Sequence, residues 1–197
     1  MRFAKLRLKL SVSAGMALHY DNYFSYRYFY LSHISSVVDD GVILWSGLRD
    51  GATEHGPALP SLVQEGIKGF AIEAVVVGMG PGPYTGLRVG IAFAESFALA
   101  RGISVRGVCS LDAIAAQVNE KDFIVTVDAR RKEVYWARYK DGVRIGEPAV
   151  SFPADVAGTS IHADLFPDMK ALVALSGNIP EPIYLRRPDA VATADRT

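Results

Sequence analysis

The chain has 197 residues, half of them hydrophobic and 21% charged, so it can bury a core and is not a disordered tail. Lys plus Arg equals Asp plus Glu at 21 each, which excludes a globally basic coat for nucleic acid, though not a local patch. The single cysteine, Cys109, excludes an intrachain disulfide and a zinc ribbon, and no apolar run reaches the ~18–20 residues of a membrane helix.

Arg2, Lys5, Arg7 and Lys9 precede an apolar stretch from Leu10 to Leu18, in the manner of a secretory leader. Ser11, Ser13 and Gly15 interrupt that stretch and no small-x-small cleavage site follows, so the expectation is a cytoplasmic protein without a membrane anchor. Phe3, Leu6, Leu8 and Leu10 also fit the alternation of a half-buried strand. Tyr20, Tyr23, Phe24, Tyr26, Tyr28, Phe29 and Tyr30 crowd the next stretch. Stacking on single-stranded RNA is one reading of these rings; strand or an appended segment outside the fold is the preferred one. Residues 1–27 are therefore set apart as an extension, 28–118 as a first lobe and 119–197 as a reduced second lobe.

From Tyr28 the pattern becomes regular. A strand over 28–34 leads into a hairpin over 36–45, turned by Asp40-Gly41 between β-branched runs. Leu59, Leu62, Val63 and Ile67 recur at helical spacing over 57–68, with Pro60 tolerated in the opening turn. A buried strand over 72–77 runs into a glycine-rich loop, Gly78 to Gly86. The helix over 87–101 is apolar nearly all round, so it is covered on more than one side, and Gly102 stops it. A strand over 103–109 and a short helix over 111–118 follow. The second half reads as strands over 123–128 and 133–139, a hairpin turn at Asp141-Gly142 and a helix over 165–175. A three-strand meander followed by alternating helices and strands is the order of ribonuclease-H-like and actin-like lobes, not the plain alternation of a dinucleotide-binding fold.

Little in the sequence points to chemistry. The glycine loop sits between a strand and a helix, where phosphates are often held. Yet Gly86 is followed by Leu87 and Arg88 rather than the lysine of a P-loop, and Thr85 occupies the third glycine position of a dinucleotide fingerprint. Pro81 and Pro83 also remove two backbone donors. A rigid turn that sets the helix angle is the preferred reading, with an anion site as the alternative. His19, His33, His55 and His162 have no helical metal-pair spacing. Cys109 ends an apolar strand and reads as a small buried residue rather than a nucleophile. Asp128 and Arg130 read as a structured turn pair. No catalytic, cofactor or metal residue is assigned.

Four ordered stretches carry a family resemblance. Gly80-Pro-Gly-Pro-Tyr-Thr-Gly-Leu-Arg-Val-Gly90, Gly107-Val-Cys-Ser-Leu-Asp-Ala113, Asp128-Ala-Arg-Arg-Lys-Glu-Val-Tyr135 and Pro182-Ile-Tyr-Leu-Arg-Arg187 resemble, in order, signatures of the TsaB (YeaZ) family of bacterial tRNA threonylcarbamoyladenosine biosynthesis proteins. The resemblance covers about residues 30–190. It singles out a loop of Gly80, Gly82, Thr85, Gly86 and Arg88 and a turn of Asp128, Arg130 and Glu133. The family's opening strand ends in Ile-Asp-Thr-Ser; the stretch matched to it here, Tyr30-Leu-Ser-His-Ile-Ser-Ser36, has no aspartate.

The resemblance implies a two-lobed actin-like α/β fold with a shortened second lobe and no chemistry of its own. It implies a scaffold for the catalytic paralogue TsaD, acting with the ATPase TsaE. Together these place a threonylcarbamoyl group on N6 of adenosine 37, so tRNA is met through the complex. The competing function is a glycoprotease-like (M22) metallopeptidase. The expected partner surface is the helix pair, through Leu62, Ile67, Leu87, Gly90, Ile91, Ala94 and Glu95, and the same patch is expected to give homodimers in isolation. The alternative is that these residues face the chain's own sheet.

Overall fold

The computed structural model describes residues 8–18, 29–50, 58–158, 160–163, 165–176 and 179–186. Its first half runs β1 (Leu8–Leu18), β2 (Phe29–Asp39), β3 (Val42–Asp50), α1 (Ala58–Gly66), β4 (Ile72–Gly78), α2 (Tyr84–Arg101), β5 (Ser104–Val108) and α3 (Ser110–Ala115). These strands form one sheet in the order β3-β2-β1-β4-β5. β1, β2 and β3 are antiparallel, and β4 and β5 join in parallel. The second half runs β6 (Asp122–Asp128), β7 (Val134–Lys140), β8 (Val143–Ser151), a 3-10 turn Pro153–Asp155, β9 (Ile161–His162) and α4 (Met169–Ala174). Its sheet has the order β8-β7-β6-β9. A meander followed by helical crossovers is the actin-like plan expected from the element order.

Local chemistry explains the turns. Asp40 and Gly41 have φ of 43 and 76°, and Asp141 and Gly142 have 49 and 78°. This is the left-handed pair that a two-residue hairpin needs to match strand twist. Gly102 closes α2 at φ 63°.

The first strand differs from expectation. Residues 8–18 are not an extension: β1 lies in the middle of the first sheet, between β2 and β4. Its register runs from Lys9 opposite Val38 to Leu18 opposite Phe29 on one side, and from Leu8 opposite Ile72 to Val12 opposite Val77 on the other. The stretch 30–36, matched above to the family's opening strand, therefore lies in β2, the second strand of the meander. The aromatic run over 20–28, and His19 and His55, lie outside the described residues.

Three helices flank the first sheet. Leu10, Val37, Val75 and Val77 meet Leu59 and Val63 of α1 and Leu87, Ile91, Ala94 and Ala98 of α2 on one face. Val38, Val76 and Val108 meet Met169, Leu172 and Val173 of α4 on the other. α3 instead turns Leu111, Ile114 and Ala115 onto Phe123, Val125, Ala137 and Tyr139 of the second sheet. Each half thus lends a helix to the other: α3 follows the first sheet but packs on the second, and α4 does the reverse.

Candidate functional site

Three of the four motif stretches, together with Gly107 and Asp112 of the fourth, gather where the two sheets meet. The glycine loop leaves β4 through a cis Gly80–Pro81 bond, with Gly80 at φ 93°. Its backbone is tied inward: Met79 N–H donates to the Val108 carbonyl and Ser110 N–H to the Gly80 carbonyl, both at 2.7 Å. Residues 179–186 then cross over it as a strap, with Ile183 N–H donating to the Met79 carbonyl at 2.7 Å. A Cβ built on Gly80 would stand 2.9 Å from the Ile183 carbonyl, and one on Gly107 would overlap the Ile179 carbonyl. Both glycines are present because the strap's backbone occupies the space a side chain would need. Tyr184 of the strap lies against Tyr84, ring centroids 5.2 Å apart, at the start of α2.

The strap ends on the second sheet. Asp128 accepts from Arg130 N–H at 2.7 Å, and Arg130, Arg131 and Lys132 all take positive φ. Ala129 N–H donates to the Glu133 carbonyl at 2.9 Å, which closes the turn. Arg186 donates to the Ala129 carbonyl at 2.9 Å and pairs with the Glu133 carboxylate. The motif turn is therefore a receptor for the strap's arginine. Within the loop, Gly80 and Gly86 are buried, Gly82 is half-buried, Thr85 is exposed, and Arg88 is exposed and bonded to the Tyr84 hydroxyl at 3.1 Å. The loop is a turn braced by backbone hydrogen bonds at Met79 and Gly80.

Sequence reasoning missed the partners. Arg186 and Tyr184 sit inside a quoted motif, and their composition does not say what they reach. Asp112 lies in another. It accepts from the Tyr139 hydroxyl at 2.8 Å and pairs with Arg144 at 3.3 Å. Burial, then the charge of Asp112, pushes the neighbouring Cys109 thiol up to about 11, and the same causes push Tyr139 up as well. Cys109 is fully buried and stays a thiol at neutral pH. Among the described residues no three His, Cys, Asp or Glu side chains converge to hold a metal, and no helix is long and apolar enough to cross a membrane. Ser160, His162 and Glu120 do meet, but the Ser160 hydroxyl and the His162 Nε2 both bond the Glu120 carboxylate directly. One ring nitrogen serves both neighbours, so no relay from carboxylate through imidazole to hydroxyl is formed.

The expected partner surface needs correction. Leu62, Leu87, Gly90, Ile91 and Ala94 are buried, Ala94 completely, against the chain's own sheet. Ile67 is half-buried and Glu95 is exposed. Parallel strands β4 and β5 need a cover on this face, and α1 and α2 supply it. The outer face of α2 remains apolar. Ala92, Leu99 and Ala100 are exposed, Leu99 at 85%, beside half-buried Val89 and the stacked pair Phe93 and Phe97. Ala92, Ser96 and Ala100 recur four apart, so this face presents a low ridge on which another helix can lie close.

A family model described as TsaD, tRNA N6-adenosine threonylcarbamoyltransferase, matches residues 52–190. A protein of Mycobacterium leprae is 49% identical over 142 residues, covering 60% of this chain and 39% of that one. The Escherichia coli tRNA threonylcarbamoyladenosine biosynthesis protein TsaB is 34% identical over 106 residues, 48% of this chain and 46% of that one. The chain thus spans less than half the length of either curated relative. In fold it is like YeaZ from Pseudomonas aeruginosa, with a TM-score of 0.69, 20% identity, and coverage of 91% of this chain and 100% of that one.

Proposed function

The chain belongs to the tRNA N6-adenosine threonylcarbamoyltransferase (TsaD) family and is TsaB-like within it, and from that premise we propose that it is a non-catalytic subunit of tRNA threonylcarbamoyladenosine biosynthesis. Its partners in this reading are a catalytic TsaD and the ATPase TsaE, and it works in the cytoplasm. The observation that carries the proposal is the outer face of α2. An exposed leucine, half-buried aromatics and a ridge of small residues form a surface that water covers poorly and a helix covers well. The same face brings two copies together when the partner is absent. The glycine loop supports the division of labour, since its inner side is filled by the strap rather than left open for a ligand. The balanced charge of the chain agrees with tRNA being held mainly by other subunits.

Reconstitution tests this. The full chain, TsaD and TsaE are incubated with tRNA, ATP and the threonylcarbamoyl precursors, and modified adenosine is measured. The expected result is no product from this chain by itself, and a large drop when it is omitted from the mixture. Product from the isolated chain, or peptide cleavage by it, overturns the non-catalytic assignment.

A further inference from the structure

α2 begins without a cap of its own. Pro83 stands at its N-cap position and makes no side-chain capping bond, where Ser, Thr, Asp or Asn would hold the first free amides. The first turn is braced from outside instead. Tyr84, its first residue, is touched by the ring of Tyr184 from the strap, centroids 5.2 Å apart, and by the Arg88 guanidinium, 5.5 Å from its own ring centre. Tyr184 is held in turn by the residues that flank it. Ile183 N–H donates to the Met79 carbonyl on the first sheet, and Arg186 reaches the β6–β7 turn on the second. Ile179, at the other end of the strap, packs against the cores of both halves. The strap thus ties the second sheet to the start of α2.

The seat of Arg186 is strained. Arg130, Arg131 and Lys132 take φ of 61, 55 and 66°, a left-handed conformation unfavourable to any residue with a Cβ. Three in succession persist only where surrounding contacts over-determine them. Asp128 accepts from Arg130 N–H, Ala129 N–H donates to the Glu133 carbonyl, and Arg186 bonds the Ala129 carbonyl and the Glu133 carboxylate together. Of these contacts, only those of Arg186 come from another part of the chain, so its departure lets the turn relax. We propose that the strap is a latch. With Arg186 seated, Tyr184 braces the first turn of α2, and the apolar outer face of that helix starts preformed. With Arg186 released, the strap lifts from Met79 and the first turn of α2 frays. The second half of the chain thereby sets how well α2 meets its partner. In naming what is regulated, the inference rests on the function proposed above; the latch itself does not. Such coupling is reciprocal, so a partner bound to α2 holds the strap down.

Amide hydrogen exchange of the full-length chain reads both ends of the latch. Leu87 N–H, bonded to the Pro83 carbonyl at 2.9 Å, reports the first turn of α2, and Ile183 N–H reports the strap. In Arg186→Met both amides are expected to exchange at least tenfold faster than in the parent, with the amides of β4 unchanged, which verifies the fold. Glu133→Gln keeps the shape of the seat and removes its charge; it is expected to shift both amides the same way by a smaller factor. If β4 loses its protection in Arg186→Met, Glu133→Gln decides by the same two amides. TsaD is expected to bind Arg186→Met at least tenfold more weakly, and saturating TsaD to slow exchange at Ile183 in the parent. The proposal is overturned if Ile183 keeps its parental rate in the folded variant, if Ile183 speeds up and Leu87 does not, or if TsaD binds the unlatched variant as before or leaves Ile183 unchanged. A parent chain that binds no TsaD refutes the partner role instead, and the rates of Leu87 and Ile183 still decide the latch.

Discussion

A single methyl group separates Gly107 from alanine, and the strap forbids it. A Cβ there would overlap the Ile179 carbonyl and press on Met79. Overpacking of this kind costs about 1–3 kcal/mol, and the strap is the part free to yield. Gly107→Ala is expected to lower the melting temperature and to speed proteolytic cleavage within 179–186; a variant as resistant as the parent would show that the strap is not seated there. Cys109 allows a test by pH. Its folded pKa, about 11, lies above the unfolded value of 9.0, so the unfolded chain loses this proton first. Stability from this group is complete below pH 9 and lost as pH rises toward 11, with Tyr139 adding to the loss at higher pH. Melting temperature against pH is expected to fall above pH 9 and to fall less in Cys109→Ala; an identical profile in the variant would refute the assignment. The thiol's burial was legible in the sequence, because it ends an apolar strand. Its neighbourhood with Asp112 is local, at the start of α3, but Tyr139 and Arg144 join them only because α3 packs on the second sheet.

For helices, the sequence reading was right about existence and wrong about direction. Residues 87–101 are helical and Gly102 ends the helix. However, a helix apolar on every side carries no periodic mark of which stripe meets the sheet. Gly90, Ala94 and Ala98 form one small-residue stripe and Ala92, Ser96 and Ala100 another. The first is buried and the second faces out. The choice is made by where β1 and β4 lie, which is long-range information. Two substitutions separate the faces. Ala94→Arg puts an unpaired charge into a fully buried site, costing several kcal/mol against a typical domain stability of ~5–15. Loss of the cooperative melt is expected. Ala92→Arg should melt like the parent yet fail to pull down TsaD and sediment as a monomer. If Ala92→Arg pairs normally, the partner surface lies elsewhere. If Ala94→Arg melts normally, the burial of α2 is misassigned.

The architecture as a whole rests on the strand that the sequence hid best. Leu8–Leu18 mixes serine, glycine and alanine with leucine and lacks the β-branched density that marks β4. Its strand character comes from its neighbours: β2 supplies an antiparallel ladder on one side and β4 a parallel one on the other. The hairpin turns, by contrast, were readable because two adjacent residues specify them. Central position makes β1 the joint between the meander, β3 with β2, and the crossover unit, β4 with β5. Without it, two sheet edges that are paired become open, and Leu10 is removed from beneath α2. Fully buried leucine is worth ~1.5–3 kcal/mol in transfer terms, and the unpaired backbone groups add to the loss. Deletion of residues 1–18 is therefore expected to abolish the native fold. Circular dichroism melts and gel filtration of this truncation beside the full chain decide the matter. A cooperative melt and normal elution for the 1–18 deletion would mean that the first sheet closes without its middle strand, and that the segment is an extension after all.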